Sequence, residues 1–166
     1  MRARTIVMVS ATVLTLLAGF ALAKPEPTAA FDALKTLVGK WEAQGHNGTY
    51  RASYKVVSAG NALMETLTTP DMAEMITLYH PDGNRIAMTH YCTHNNQPRM
   101  HTAPLPSPVK EFVFSFVDAT NLPSPAAGHM HRLVVTLVDK DHFTQTWTWR
   151  ENGTESLEVF RFTRKK

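Results

Sequence analysis

The stretch Gly39-Lys40-Trp41-Glu42-Ala43-Gln44-Gly45-His46-Asn47-Gly48-Thr49-Tyr50-Arg51-Ala52-Ser53-Tyr54-Lys55-Val56-Val57 decides the fold. Asn47-Gly48 marks a two-residue hairpin turn, because a type I′ turn needs two residues that tolerate positive φ. On that turn Trp41 lies opposite Tyr54 and Ala43 opposite Ala52. A second break at Ala59-Gly60 sets Val56 opposite Leu63 and Tyr54 opposite Glu65. Side chains alternate along a strand, so one face collects Trp41, Ala43, Ala52, Tyr54, Val56, Leu63 and Leu67. The other collects Arg51, Ser53, Lys55 and Thr66. The first is a core face, and it carries one carboxylate, Glu65.

The same punctuation runs to the C-terminus. Asn152-Gly153 is a second strong turn, while Pro81-Asp82-Gly83-Asn84, Asn95-Asn96 and Asp139-Lys140-Asp141 are weaker ones. Two longer connections, 104–108 and 118–128, are rich in proline. The breaks leave about ten strands: 39–46, 49–57, 61–68, 73–80, 85–92, 97–103, 111–117, 129–138, 142–150 and 154–163. Short strands joined mainly by tight turns form an antiparallel meander, and closure into a barrel removes its edges. Before them, Phe31, Leu34, Leu37 and Val38 recur at helical spacing and Gly39 stops the period, predicting a short helix over 29–38. The expected fold is all-β: a closed antiparallel meander with a short N-terminal helix.

Residues 1–23 read as a secretion signal. Arg2 and Arg4 form a basic head, an apolar run follows, and Ala21-Leu22-Ala23 ends it before Lys24-Pro25. Ser10, Thr12 and Thr15 dilute the run, which argues against a membrane anchor. Residues 24–30 are a Pro-rich leader and 31–166 a single barrel domain, exported to the periplasm or beyond, with no membrane span in the mature chain. Without Arg2 and Arg4 the chain holds 15 basic and 14 acidic side chains, evenly mixed. Nucleic-acid binding needs a concentrated basic face, and none is present. Cys92 is the sole cysteine, so no intrachain disulfide forms.

Gly39-Lys40-Trp41, following a short helix and opening the first strand, resembles the G-x-W signature of the lipocalins and their calycin relatives. The stretch from Asp141-His142-Phe143-Thr144 to Thr163-Arg164-Lys165 is similar to the tail of small exported bacterial lipocalin-like proteins of unknown function. The resemblance runs from about Phe31 to the C-terminus and implies a calycin barrel with an internal cavity. It also implies that Trp41 plugs one end beneath an arginine of the last strand, for which Arg161 and Arg164 are the candidates. The chain departs from typical lipocalins in lacking their disulfide cysteines and in its histidines.

Those histidines number eight, six of them between His80 and His131. A turn at Asn95-Asn96 puts His90 across from His101 and Cys92 across from Arg99. His129 and His131 share a strand face that continues as Leu133, Val135 and Leu137, which directs both imidazoles inward. Imidazoles converging in a partly dry lumen are ligands for zinc, copper or haem iron, with Cys92 or Glu65 as a further donor. Against this, H-x-H pairs are common in proteins, and the spacing defines no metal family. A lone buried cysteine is ordinarily a small hydrophobe. Glu65 opposite Tyr54 is expected to be a satisfied internal hydrogen bond before it is a ligand grip. Phe143, Gln145, Trp147 and Trp149 share a face beside the H-x-H strand.

No G-x-S-x-G, Walker loop or dinucleotide fingerprint occurs, so no enzyme class is indicated. The expected function is an exported barrel that binds a small, largely apolar molecule, lined by Tyr54, Leu63, Glu65, Leu67, Met88, Leu133 and Trp147. The alternative is a transition-metal or haem protein centred on His90, His101, His129 and His131, which leaves room for enzymatic activity. A third reading is an accessory module acting through its loops, of which 118–128 is the longest.

Overall fold

The computed structural model describes residues 28–105 and 107–166. The secretion signal expected over residues 1–23 and the first part of the leader lie outside them. Helix α1 (Thr28–Lys35) precedes ten strands: β1 (Gly39–Gly45), β2 (Gly48–Val57), β3 (Ala62–Thr69), β4 (Met72–Asp82), β5 (Arg85–Tyr91), β6 (Gln97–Thr102), β7 (Glu111–Thr120), β8 (His129–Leu137), β9 (His142–Glu151) and β10 (Thr154–Arg164). Each strand pairs antiparallel with the next, and β10 returns to pair with β1, so the barrel is closed. Among the described residues no helix is long and apolar enough to cross a membrane. The helix ends earlier than its apolar period suggests. Thr36, Leu37 and Val38 each bond the carbonyl three residues back, which tightens the chain into turns ahead of β1.

The strands fall where the turn chemistry placed them, and three registers differ. In the first hairpin Gly45 pairs with Gly48, Trp41 with Ala52 and Ala43 with Tyr50, so the turn is His46-Asn47. Gly48 sits at φ +126°, outside the left-handed well that a type I′ turn requires. The slip is two residues, an even number, so every side chain keeps its expected face. Tyr54 does lie opposite Glu65, and Val56 opposite Leu63. Val56 itself, beside the turn that ends β2, is exposed rather than inward.

The β5–β6 register is off by an odd number, and there the faces change. Cys92 N–H bonds the Asn96 carbonyl around a three-residue loop, Thr93-His94-Asn95, with Asn95 at φ +61°. His101 therefore pairs with Ala87 and Arg99 with Thr89, not with His90 and Cys92. The third difference is a bulge in β8. His129 pairs with Arg150 and Met130 with Trp149, but Arg132 pairs with Thr148, leaving His131 as the extra residue. A bulge breaks the period of two, so His129 and His131 do not continue the inward row of Leu133 and Val135.

One end of the barrel is shut. Trp41 donates its indole N–H to the Leu37 carbonyl at 2.7 Å and meets Phe143 edge-on. The Arg164 guanidinium lies 4.0 Å over the Trp41 ring and donates to the carbonyls of Lys140, Val38 and Thr36. Gly39 is required there: at φ +129°, a Cβ would sit 2.9 Å from an Arg164 nitrogen. Arg161 alternates outward between Phe160 and Phe162, is exposed, and takes no part in the plug. Phe31 and Leu34 of α1, with Leu37, are buried in the same core.

Candidate functional site

The expected inner residues Tyr54, Leu63, Glu65, Leu67, Met88, Leu133 and Trp147 are all buried. At their centre is a chain of hydrogen bonds spanning the barrel. Tyr79, on β4, donates its hydroxyl to Glu65 Oε2 at 2.5 Å. The Gln145 amide, on β9, donates to Glu65 Oε1 at 2.7 Å and to the Tyr54 hydroxyl at 2.8 Å. The Trp147 indole N–H donates to Gln145 Oε1 at 3.2 Å, so both ends of that amide are used. Burial pushes the Glu65 carboxyl above the ordinary carboxylate range, while its bonds from Tyr79, Gln145 and Tyr54 pull it back. Burial next to that carboxyl drives the Tyr54 and Tyr79 hydroxyls well up, so both remain neutral donors. Such a network fixes rotamers and spacing inside the barrel, because a lost member leaves its partners unpaired.

His90 lies beside this network. Its ring packs against Trp147 with centroids 4.8 Å apart, and Nδ1 meets the Thr77 hydroxyl at 2.9 Å. Nε2 is buried without a partner among the described residues, and desolvation lowers the pKa to about 4. His90 is therefore a neutral imidazole at physiological pH.

Opposite the Trp41 plug the barrel opens. β1 and β10 pair at Trp41–Arg164 and Glu42–Thr163, and beyond Glu42 they part. A cavity of about 530 Å³ occupies this gap, with Gly45, His46 and Tyr50 on one side, residues 156–160 on the other, and Met130, Trp147 and Trp149 between them. Of the seven inner residues expected to line a ligand site, Trp147 alone reaches this cavity. The other six lie in the packed interior. Two glycines make its aromatic walls. A Cβ on Gly45 would fall 1.9 Å from the Tyr50 ring, and one on Gly128 would fall 2.2 Å from the Trp149 ring. Tyr50 leans on Phe160 with ring centroids 4.9 Å apart, and Trp149 meets His94 at a tilt with centroids 4.4 Å apart. Glu158 pairs across the strands with Trp147, on the inner row that continues to Phe160. Burial raises its pKa, with His46 acting in the opposite sense.

The four histidines expected to converge are dispersed. His90 is interior, and His101 is held among β5, β6 and β7 opposite Ala87 and Ser115. His129 and His131 lie near the mouth, where the β7–β8 pairing ends at Ser115–Arg132, and both pack on Phe116. Their hydrogen bonds assign a tautomer chain. His129 donates Nδ1–H to the Ala127 carbonyl at 2.7 Å, and its Nε2 accepts from His131 Nδ1–H at 3.1 Å. Burial, then the charges of Arg150 and His129, lower the His131 pKa. Among the described residues no three His, Cys, Asp or Glu side chains are grouped to hold a metal ion. Cys92 is buried 3.6 Å from His94 Nδ1, with its thiol pKa pushed up by burial, the environment of an unreactive thiol.

Sequence reading did not single out Tyr79, Thr77, Tyr50, Met130, Glu158 or Phe160. Gln145 carried a usable signal, since an amide between Phe143 and Trp147 on an inward row has to find buried partners. No protein-family model and no curated protein matches the chain.

Proposed function

We propose that this barrel binds a small, largely apolar molecule in the cavity at its open end, with Trp147 as the floor. The observation that carries the reading is the cavity itself. It is about 530 Å³ in volume and walled by Tyr50, Trp147, Trp149 and Phe160. That size and aromatic character are typical of small-molecule sites. The glycines at 45 and 128 support it further, because each leaves the space that an aromatic wall occupies. The interior network beneath fixes Trp147 through Gln145, which favours a preformed site over one shaped by the ligand.

The Gly39-Lys40-Trp41 opening and the Arg164 cover over Trp41 support placing the chain among the calycins. Export to the periplasm or beyond rests on residues 1–23. Native mass spectrometry of the purified protein, with displacement of an apolar fluorescent probe, tests the binding role. We expect a co-purifying small molecule or probe binding that Trp147→Ala abolishes. Failure to bind any probe bearing an apolar group, neutral or cationic, in protein stripped of small molecules, refutes it. An accessory module acting through its loops is the second reading. It draws on the dense packing around Glu65, and the same failure would favour it.

A further inference from the structure

We infer that the ligand of the mouth cavity is an organic ammonium ion bearing an apolar group. The inference rests on that cavity being the binding site and specifies what enters it. The argument begins with Glu158. Its side chain stands on the inner row of β10, directly across from Trp147. Among the described residues the lining includes neither lysine nor arginine to neutralise it, and the one group there able to carry positive charge is exposed His46. Tyr50 lines the same cavity, and burial first, then the charges of Glu158 and Asp71, raise the pKa of its hydroxyl.

A half-buried carboxylate in an aromatic-walled cavity is poorly placed for a neutral hydrocarbon, which would desolvate it without compensation. For an anion it is worse. A cation reverses both terms: it pairs with the carboxylate and is attracted to the faces of Trp147, Trp149 and Tyr50. The apolar part of such a ligand would lie against Met130 and Phe160, which adjoin the same space. Positive charge, an apolar body and a size within about 530 Å³ define the class.

The test uses the full chain and a pair of isosteres, benzyltrimethylammonium and 2,2-dimethylpropylbenzene, which differ in one atom and one charge. Binding is followed by quenching of tryptophan fluorescence. The expected result is at least about tenfold tighter binding of the cation, with the ratio falling to about threefold or less in Glu158→Gln. Equal affinities, or a cation advantage that survives Glu158→Gln, overturn the inference and leave the cavity as a binding site. Binding of neither compound at millimolar concentration overturns both. The isostere ratio in the unmodified protein stands independently of how well the variant folds.

Discussion

His90 makes the fold sensitive to acid by an amount that follows from its burial. Its pKa falls from an ordinary 6.5 to about 4 because desolvation penalises the imidazolium. A folded value below the unfolded one means that the unfolded chain takes up the proton first as pH drops. The stability linked to this group is complete above about pH 6.5 and is lost between there and about pH 4. From pH 7.5 to 4.5 the linkage amounts to about 2.5 kcal/mol. His90→Phe retains an aromatic ring against Trp147 and cannot titrate. It strands the Thr77 hydroxyl, at a cost of about 1–2 kcal/mol that is the same at both pH values. Urea denaturation at pH 7.5 and 4.5, read by tryptophan fluorescence and far-UV circular dichroism, isolates the difference. The unmodified protein should lose about 2.5 kcal/mol more than the variant over this interval. Carboxylates and His131 titrate in both proteins and cancel. Equal losses would refute the burial argument and imply that water reaches the ring.

Glu65→Leu removes the acceptor for Tyr79 and Gln145 together, and should cost about 2–4 kcal/mol in denaturant stability. Arg164→Ala breaks three carbonyl bonds and the contact with Trp41, so thermal unfolding should move down by several degrees, whereas Arg161→Ala should leave the midpoint where it is. Gly45→Ala should swing Tyr50 out of place. Probe binding at the mouth would then weaken by tenfold or more, while far-UV circular dichroism keeps its strand signature. Gly128→Ala should do the same through Trp149.

Much of the architecture was readable because it depends on local chemistry. Asn152 and Gly153 both take positive φ in the structure, as an Asn-Gly hairpin turn demands, and Asp139 caps the Asp141 amide in the β8–β9 turn. The alternation from Trp41 to Leu67 gave the inner row, Val56 excepted, even though the first hairpin slid by two. What could not be read was anything turning on a single residue of loop length. Asn95-Asn96 is as good a two-residue turn in sequence as Thr93-His94-Asn95 is a three-residue one, and choosing between them moves His101 to the other face. The bulge at His131 is equally silent, because nothing in Gly128-His129-Met130-His131 departs from a plain strand. The cavity was hidden for a different reason. It is assembled from strands at opposite ends of the sequence, and the glycines that make room for its walls look like ordinary turn residues.

The seam between the first and last strands carries one more consequence, for the order of events in folding. Arg164 reaches the Val38 carbonyl across 126 positions of chain, so the plug closes one of the longest loops in the molecule. Closing so long a loop is entropically costly, and pairings of this separation slow folding. A nascent chain that has not yet released β10 lacks one wall of the cavity, and its barrel is still an open sheet. A molecule occupying the mouth touches β1 and β2 on one side and β9 and β10 on the other, so it acts as a clasp across the seam. Its binding free energy would then slow the parting of the terminal strands, giving the occupied protein a longer native lifetime than the empty one.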